Sequence, residues 1–154
     1  MTPETFWKNV PKGFSIDTYE NKPYRIAQTL EDGQVIDIGN RPIEIAFISG
    51  HSPDSIILID KNNRLMVTDD SFYPAGIYIY SSTSSFRDYA HSVQTMLKYQ
   101  SEVDFLLLGH NETMQPVSYQ AKLQAATLAI QNGSSPSSVN EEGIHTYQFE
   151  NFSL

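Results

Sequence analysis

One stretch of this sequence decides its fold, and it reads Phe47-Ile48-Ser49-Gly50-His51-Ser52-Pro53-Asp54-Ser55. An apolar run enters the stretch from Pro42, and a second apolar run leaves it and continues to Asp60. This pattern predicts two strands joined by a short polar loop that carries a histidine. The glycine before the histidine allows the backbone to turn sharply and to come close to a ligand. His51 is therefore predicted to lie at a strand end, where it can face a binding site.

Two further polar residues follow predicted strands in the same way. Asp70 ends the run Leu65-Met66-Val67-Thr68-Asp69-Asp70, and His110 follows Leu106-Leu107-Leu108-Gly109. Loops positioned by a rigid scaffold are where binding and catalytic residues are concentrated. Imidazole and carboxylate groups suit zinc, iron or manganese, and the sequence contains no cysteine that could supply a thiolate. We expect His51, Asp70 and His110 to carry the chemistry.

The rest of the chain reads as further strands and two helices. Two segments have apolar residues at helical spacing: one that Ser84 or Ser85 can cap, and one that runs from about Ser118 to Gly133, which suits a left-handed C-cap. A hairpin turn over residues 61–64 is expected to use the positive φ that asparagine tolerates. The fold class is therefore mixed α and β (α/β or α+β). The predicted strands are Gln34–Ile38, Pro42–Ile48, Ser55–Asp60, Leu65–Asp69, Val103–Leu108 and Ile144–Phe149.

The chain divides into a lead segment and one domain. Residues 1–30 are irregular, punctuated by proline and rich in aromatic side chains, whereas residues 30–154 contain the predicted strands and helices. We interpret the lead segment as an ordered loop that its rings hold in place. Its aromatic residues include Phe6, Trp7, Phe14 and Tyr19.

Several predicted strands are apolar on both faces. Residues 56–59 and 105–108 are apolar at every position, and such strands need a packed layer on each side of the sheet. The two helices can cover one face. Residues 1–30 or a partner must cover the other, and a homodimer that packs sheet on sheet is the expected solution, testable with Ile45→Glu or Ile57→Glu.

Composition excludes several function classes. The formal net charge is −8 and the basic residues form no stripe, which argues against nucleic-acid binding. There is no secretory signal pattern and no apolar run long enough to span a bilayer, so we expect a soluble, cytoplasmic protein. His91 lies within a predicted helix and is interpreted as a surface or helix-packing residue. His145 lies within a predicted strand and is interpreted as structural.

In order and position, these features resemble the second half of the metallo-β-lactamase superfamily over residues 30–133. The similarity includes a Gly-His-Ser-Pro loop, a hairpin, an Asp at a strand end, a helix and a Gly-His after a buried strand. The resemblance implies half of an αββα sandwich, with a mixed sheet and the two main helices on one face. It also implies hydrolysis of a small ester, thioester, lactam or phosphodiester at a centre of two zinc ions.

The resemblance assigns roles to individual residues. It implies that Asp70 bridges the two metals and is the catalytic carboxylate, that His51 is a ligand of one metal and that His110 is a ligand of the other. Residues 72–80 would flank the substrate pocket, with Tyr73 and Tyr78 as substrate-binding candidates; the alternative interpretation is a half-buried aromatic strand or loop.

Three departures from the family pattern bear on function. Asp69 replaces the usual glycine before the bridging aspartate, and Pro53-Asp54 replaces Pro-Gly. No histidine precedes His51, so the family's His-x-His-x-Asp-His motif is absent from this sequence. We therefore expect weak or no metal binding and no activity from the chain by itself. The alternative function is a non-catalytic, truncated half-domain that acts as an assembly or interaction module, with the N-terminal half as a possible partner.

Overall fold

The computed structural model describes residues 25–154, which form a mixed sheet, a small hairpin and two helices. The predicted mixed α and β class is confirmed. The elements are β1 (Val35–Asp37), β2 (Pro42–Phe47), β3 (Ile56–Asp60), β4 (Leu65–Asp69), α1 (Phe86–Leu97), β5 (Phe105–Leu108), β6 (Met114–Pro116), α2 (Tyr119–Gln131), β7 (Ser138–Val139) and β8 (His145–Thr146).

The main sheet has six strands in sequential order, β1 to β6. All neighbours are antiparallel except β4 and β5, which are parallel. Parallel neighbours require a crossover connection, and α1 supplies it. Ser85 caps α1, since its hydroxyl accepts a hydrogen bond from the amide of Asp88 at 3.2 Å. Strands β7 and β8 form a separate two-stranded hairpin.

Both helices pack on one face of the sheet. Cross-strand partners lie on the same face, and Ile59, Met66 and Leu106 are successive partners across β3, β4 and β5. All three are completely buried, and they share a core with Tyr89, Val93 and Met96 of α1 and Leu123 and Ala126 of α2. We call this side the covered face, and it confirms the predicted placement of the two helices.

The other side, the open face, carries an equally apolar row. Leu58, Val67 and Leu107 are cross-strand partners, and each is only half-buried. At the margins of this row, Phe47 is 47% exposed and Phe105 is 40% exposed. Ile45, the partner of Leu58, is the exception because it is buried.

Several sequence expectations need correction at the level of single residues. Ile57 lies on the covered face and is completely buried, so it is no probe of sheet-on-sheet pairing. The positive φ in the hairpin over residues 61–64 is at Arg64, with φ 56°, and not at an asparagine. Ser118 precedes α2 without a side-chain cap hydrogen bond, whereas Gly133 has the expected positive φ of 88°.

Some element boundaries also differ from the prediction. Strand β6 has no counterpart among the predicted strands, because its three residues include a glutamine and a proline and carry little apolar signal. The last predicted strand shortens to His145–Thr146, which pairs with Ser138–Val139. Of the predicted lead segment, residues 1–24 and their aromatic side chains lie outside the described residues; residues 25–30 have no regular structure.

Candidate metal centre

The loop that carries His51 is fastened to the start of α1. The amide of Ser85 donates to the carbonyl of Gly50 at 2.8 Å, and the Ser84 hydroxyl donates to the carbonyl of His51 at 2.8 Å. Ser92 lies on α1 about two helical turns after Ser85. Its hydroxyl accepts a hydrogen bond from the Ser49 amide and donates one to the Ser49 carbonyl, each at 2.8 Å. These bonds hold the histidine loop in a fixed position relative to the helix.

Gly50 is required at its position for two reasons. Its φ of 129° is one that side-chain-bearing residues rarely adopt. A Cβ atom added there would also lie 2.4 Å from backbone atoms of Tyr89 in α1. The glycine before His51 therefore permits close packing of the loop on the helix, which is a structural reason for the Gly-His pair.

One hydrogen bond determines the tautomer of His51. Its Nδ1 atom lies 2.7 Å from the carbonyl oxygen of Tyr78. A carbonyl only accepts, so Nδ1 carries the proton and donates, and the lone pair of a neutral ring is left on Nε2. That Nε2 atom lies 3.6 Å from Oδ2 of Asp70. The histidine therefore presents a potential metal-binding nitrogen to the carboxylate.

Asp70 is held at the end of β4 by contacts of its neighbours. The Thr68 hydroxyl lies within hydrogen-bonding distance of the carbonyls of Phe72, at 3.1 Å, and Leu107, at 3.2 Å. The Tyr89 hydroxyl donates to the carbonyl of Ser71 at 2.7 Å. These bonds tie the turn after β4 to β5 and α1, and they place the Asp70 side chain between the two histidines.

Asp69 occupies a conformation that favours glycine. Its φ is 45°, and the pairing of β4 with β5 is irregular at this point. A Cβ atom added to Gly109 would lie 2.4 Å from Oδ1 of Asp69. Asp69, in place of the family's glycine, thus adopts a left-handed backbone conformation. Its side chain lies against Gly109, which directly follows β5.

His110 completes the group from the loop after β5. Its Nε2 atom lies 2.8 Å from Oδ1 of Asp70. The ring of Tyr73 packs edge-on against the imidazole, with 5.2 Å between the ring centroids. The structure therefore brings together all three residues that the sequence predicted for the site, with both Nε2 atoms directed at one carboxylate.

The two tyrosines have different parts in the same cavity, which has a volume of about 520 Å³. Tyr73 is buried, and its hydroxyl donates to the carbonyl of Gly76 at 2.8 Å. Burial and the nearby Asp70 carboxylate raise the pKa of Tyr73, so its phenol stays neutral. Tyr78 is 58% exposed. The cavity is lined by His51, Asp70, Tyr73, Ala75, Gly76, Tyr78, His110 and Asn111.

The donor set fits part of a metal centre. An unprotonated Nε2 and a carboxylate oxygen are both acceptors, so their approach favours a cation or a proton between them. One carboxylate between two imidazoles offers each of two ions only two protein ligands, whereas protein zinc sites use three or four. Residues 25–154 contain no group of three or more His, Cys, Asp or Glu side chains with the arrangement of a complete metal site.

Some residues that shape the site gave no signal in the sequence. The carbonyl of Tyr78 fixes the His51 tautomer, and backbone acceptors have no sequence signature. The sequence indicates Ser84 only as a candidate helix cap and gives Ser92 no role, although both hold the histidine loop. His91 is exposed on α1, and His145 is exposed on β8. Within the described residues, no helix is long and apolar enough to cross a bilayer.

Comparison with solved structures identifies the fold. A metallo-β-lactamase family protein from Thermus thermophilus superimposes with a TM-score of 0.59 at 13% sequence identity, over 70% of this chain and 37% of that one. The six-stranded mixed sheet with helices on one face is therefore part of a metallo-β-lactamase fold.

Sequence comparison finds similarity to proteins named as thioesterases. The chain is 29% identical to the acyl-coenzyme A thioesterase MBLAC2 of Gallus gallus over 90 residues, which are 57% of this chain and 32% of the relative. It is 26% identical to an atrochrysone carboxyl ACP thioesterase of Pseudocercospora fijiensis over 105 residues, 68% of this chain and 31% of the relative. No family model matches. Together these similarities support a place in the metallo-β-lactamase superfamily, and the chain spans about a third of the length of these curated relatives.

Proposed function

We propose that this chain supplies part of a metal-dependent hydrolase centre that cleaves thioesters. The observation that carries the proposal is the convergence of the His51 and His110 Nε2 atoms on the Asp70 carboxylate, at 3.6 Å and 2.8 Å. Support for a thioester comes from the two relatives, both named as thioesterases although one acts on acyl-coenzyme A and the other on an acyl carrier protein substrate.

Each residue of the group has a separate role in this proposal. Asp70 would be the carboxylate ligand shared by the centre, and His51 and His110 would be the imidazole ligands on its two sides. Zinc suits this nitrogen and oxygen set, and iron or manganese are alternatives. When bound, zinc would supply a hydroxide near neutral pH and would polarise the attacked carbonyl.

The protein side of the reaction consists of holding and orienting. The Tyr78 carbonyl keeps the His51 proton on Nδ1, so that Nε2 stays available as a ligand. The buried Tyr73 forms a rigid wall against His110. In the hydrolysis, water adds to the thioester carbonyl carbon, the carbon–sulfur bond breaks, and a carboxylic acid and a thiol are released.

Zinc titration tests the metal part of the proposal. Because each ion would receive only two ligands, the chain alone is expected to bind zinc with a dissociation constant of about 1 μM or weaker. This corresponds to a binding free energy of at most about 8 kcal/mol, whereas closed zinc sites provide about 10–16 kcal/mol. Calorimetry should show that His51→Ala and Asp70→Ala abolish this binding. His91→Ala, a histidine on the surface of α1, is the matched control and should not. Two zinc ions that survive dialysis would contradict the expectation.

Turnover tests the reaction itself. The chain alone, supplied with zinc, is expected to hydrolyse octanoyl-coenzyme A below detection. Mixing with a polypeptide that carries the family's His-x-His-x-Asp-His motif should produce hydrolysis that Asp70→Ala abolishes. Hydrolysis of β-lactams or phosphodiesters but not of thioesters by this mixture would overturn the assignment of substrate class.

The open face of the sheet favours a second candidate function, a non-catalytic assembly module. Its half-buried row of Leu58, Val67 and Leu107 with exposed Phe47 and Phe105 is a contiguous apolar surface, and such surfaces mark interaction sites. A second copy of this chain is the occupant that the sequence analysis favours. Its association is measured by light scattering, as set out in the Discussion.

A further inference from the structure

A second cavity adjoins the one that contains the histidines. It has a volume of about 510 Å³, within the range of about 300–1,000 Å³ typical of small-molecule sites. Gly76 and Tyr78 line both cavities. The segment whose Tyr78 carbonyl accepts the hydrogen bond from His51 therefore also forms a wall of the second cavity.

Distant parts of the chain build this second cavity. The Ile77 amide donates to the carbonyl of Ser153 at 2.9 Å, and the Ser153 amide donates to the carbonyl of Ala75 at 3.1 Å. Phe86 at the start of α1, Ile130 near the end of α2 and Ile144 beside β8 complete the walls. Because the fold itself brings these walls together, the cavity is present without a ligand.

The lining indicates the chemistry of a ligand. Among the residues that line the cavity there is no Asp, Glu, Lys or Arg, and its main side chains are Ile77, Ile79, Phe86, Ile130 and Ile144. Ile79, Phe86, Ile130 and Ile144 are only half-buried, so each keeps apolar surface that a ligand can cover. The lining also includes His145, whose imidazole can carry a charge, but most of the exposed lining is apolar. Such walls suit an unbranched hydrocarbon chain.

We infer that this cavity holds the acyl chain of the thioester substrate, with the thioester carbonyl placed on the histidine side of the Gly76–Tyr78 wall. The inference rests on the proposed thioester hydrolysis and adds to it a site for the non-reacting part of the substrate. Specificity for longer acyl chains then resides in residues 77–80, 130 and 144, which are separate from the ligand set.

Binding of a probe that cannot be hydrolysed tests the inference without metal or turnover. The probes are S-alkyl thioethers of N-acetylcysteamine with four, six, eight and ten carbons in the alkyl chain. Calorimetry of the metal-free chain should show affinity that rises by up to about fourfold for each added methylene group, the factor expected for its burial. Asp70→Ala should leave this rise of affinity with alkyl chain length unchanged.

Two substitutions at one residue locate the binding. Ile144→Trp fills the cavity and Ile144→Asn makes its wall polar; each should lower the affinity for the ten-carbon probe by at least about tenfold and flatten the dependence on chain length. Ile144 lies beside a two-stranded hairpin and outside the buried core cluster, so both variants should fold, which circular dichroism verifies. Ile130→Trp fills the same space from α2 and should act alike.

Phe105→Asn on the open face is the matched control and should leave the series unchanged. Loss of the chain-length dependence in this control, with the Ile144 and Ile130 variants unaffected, would place apolar binding on the sheet and overturn the inference. So would an absence of chain-length dependence in the unmodified chain. Probe binding in this cavity without thioester hydrolysis by the complete centre would instead count against the proposed function alone.

Discussion

The two faces of the sheet have the same kind of side chain and opposite surroundings. On β3, Ile57 and Ile59 are completely buried beneath the helices, whereas their neighbour Leu58 is half-buried on the open face. Val67 and Leu107 continue the open row across β4 and β5. Apolar residues on both faces of a strand therefore show only that each face can be buried. Whether a face is buried depends on the layers that pack against it.

Glu44 on the covered face and Asp60 on the open face each lie in a network of hydrogen bonds. On the covered face, Glu44 accepts from the Tyr99 hydroxyl at 2.8 Å and pairs with Lys61 at 3.0 Å. Burial acts to raise the pKa of Glu44, but the bonds from Lys61 and Tyr99 outweigh it and the pKa is lowered. Burial and this carboxylate raise the pKa of Tyr99 to about 12. The covered face therefore tolerates a charge only at the margin of its core.

On the open face, Asp60 is buried, whereas Leu58 and Leu65 beside it on that face are only half-buried. It accepts from the amide and the side chain of Asn63, at 3.0 Å and 2.8 Å, and it pairs with Arg41. Burial acts to raise the pKa of Asp60, and the bonds from Asn63 and Arg41 outweigh it, so the pKa lies below its usual value.

The largest difference is expected between adjacent residues of β3. Ile57→Ala should lower the free energy of unfolding by about 2–5 kcal/mol, because it leaves a cavity in the core. Leu58→Ala should cost about 1 kcal/mol or less, because a half-exposed side chain forgoes less burial. Urea unfolding measures both. Equal losses would show that the open face is covered in solution as fully as the helix side.

Self-association addresses that cover directly. If a second copy of the chain covers the open face, light scattering should give a dimer mass, and Phe105→Glu should shift the protein to monomer. Each phenylalanine withdrawn from such an interface costs about 1.5–3 kcal/mol. Leu128→Glu, an exposed substitution on α2, is the control and should leave the mass unchanged. A stable monomer of the unmodified chain at high concentration would exclude pairing of this face.

Loss of the Asp60 charge should have a smaller, pH-dependent effect. The folded-state pKa is lowered, so the contribution to stability is present above the unfolded value of about 3.9 and is lost as the pH falls through the folded value. Asp60→Asn should therefore cost about 1–3 kcal/mol at pH 7 and progressively less below pH 4. Urea unfolding at several pH values measures this difference, and Asn63→Ala should reduce it in part. A difference independent of pH would refute the linkage.

The smallest effect is expected at Asp69 and has the opposite sign. Its φ of 45° lies in the left-handed region, so Asp69→Gly should relieve strain and raise the free energy of unfolding by up to about 1 kcal/mol. Asp54→Gly, at a residue without positive φ, is the matched control and should lower stability instead, because glycine adds freedom to the unfolded chain. Thermal unfolding distinguishes the two, and destabilisation in both would remove the argument from strain.

The sequence predicted the parts of the molecule that depend on local pattern. The strands before His51, Asp70 and His110, the two helices and the convergence of the three side chains all follow from apolar spacing and the order of the motifs. It could not identify contacts made by backbone groups, such as the Tyr78 carbonyl at His51. Nor could it place Arg64 at the positive φ of the hairpin, since two asparagines beside it fit that conformation better.

The serine bonds between the His51 loop and α1 also determine how the site opens. The amides of Ser49 and Ser85 are held by partners on opposite sides of the junction between the loop and the helix. Their hydrogen exchange should therefore report cooperative opening of α1 rather than local fraying of a surface loop. The loop that carries His51 is therefore expected to open together with α1, and unfolding of the first turn of α1 would release the hydrogen bonds that hold the Gly50 and His51 carbonyls.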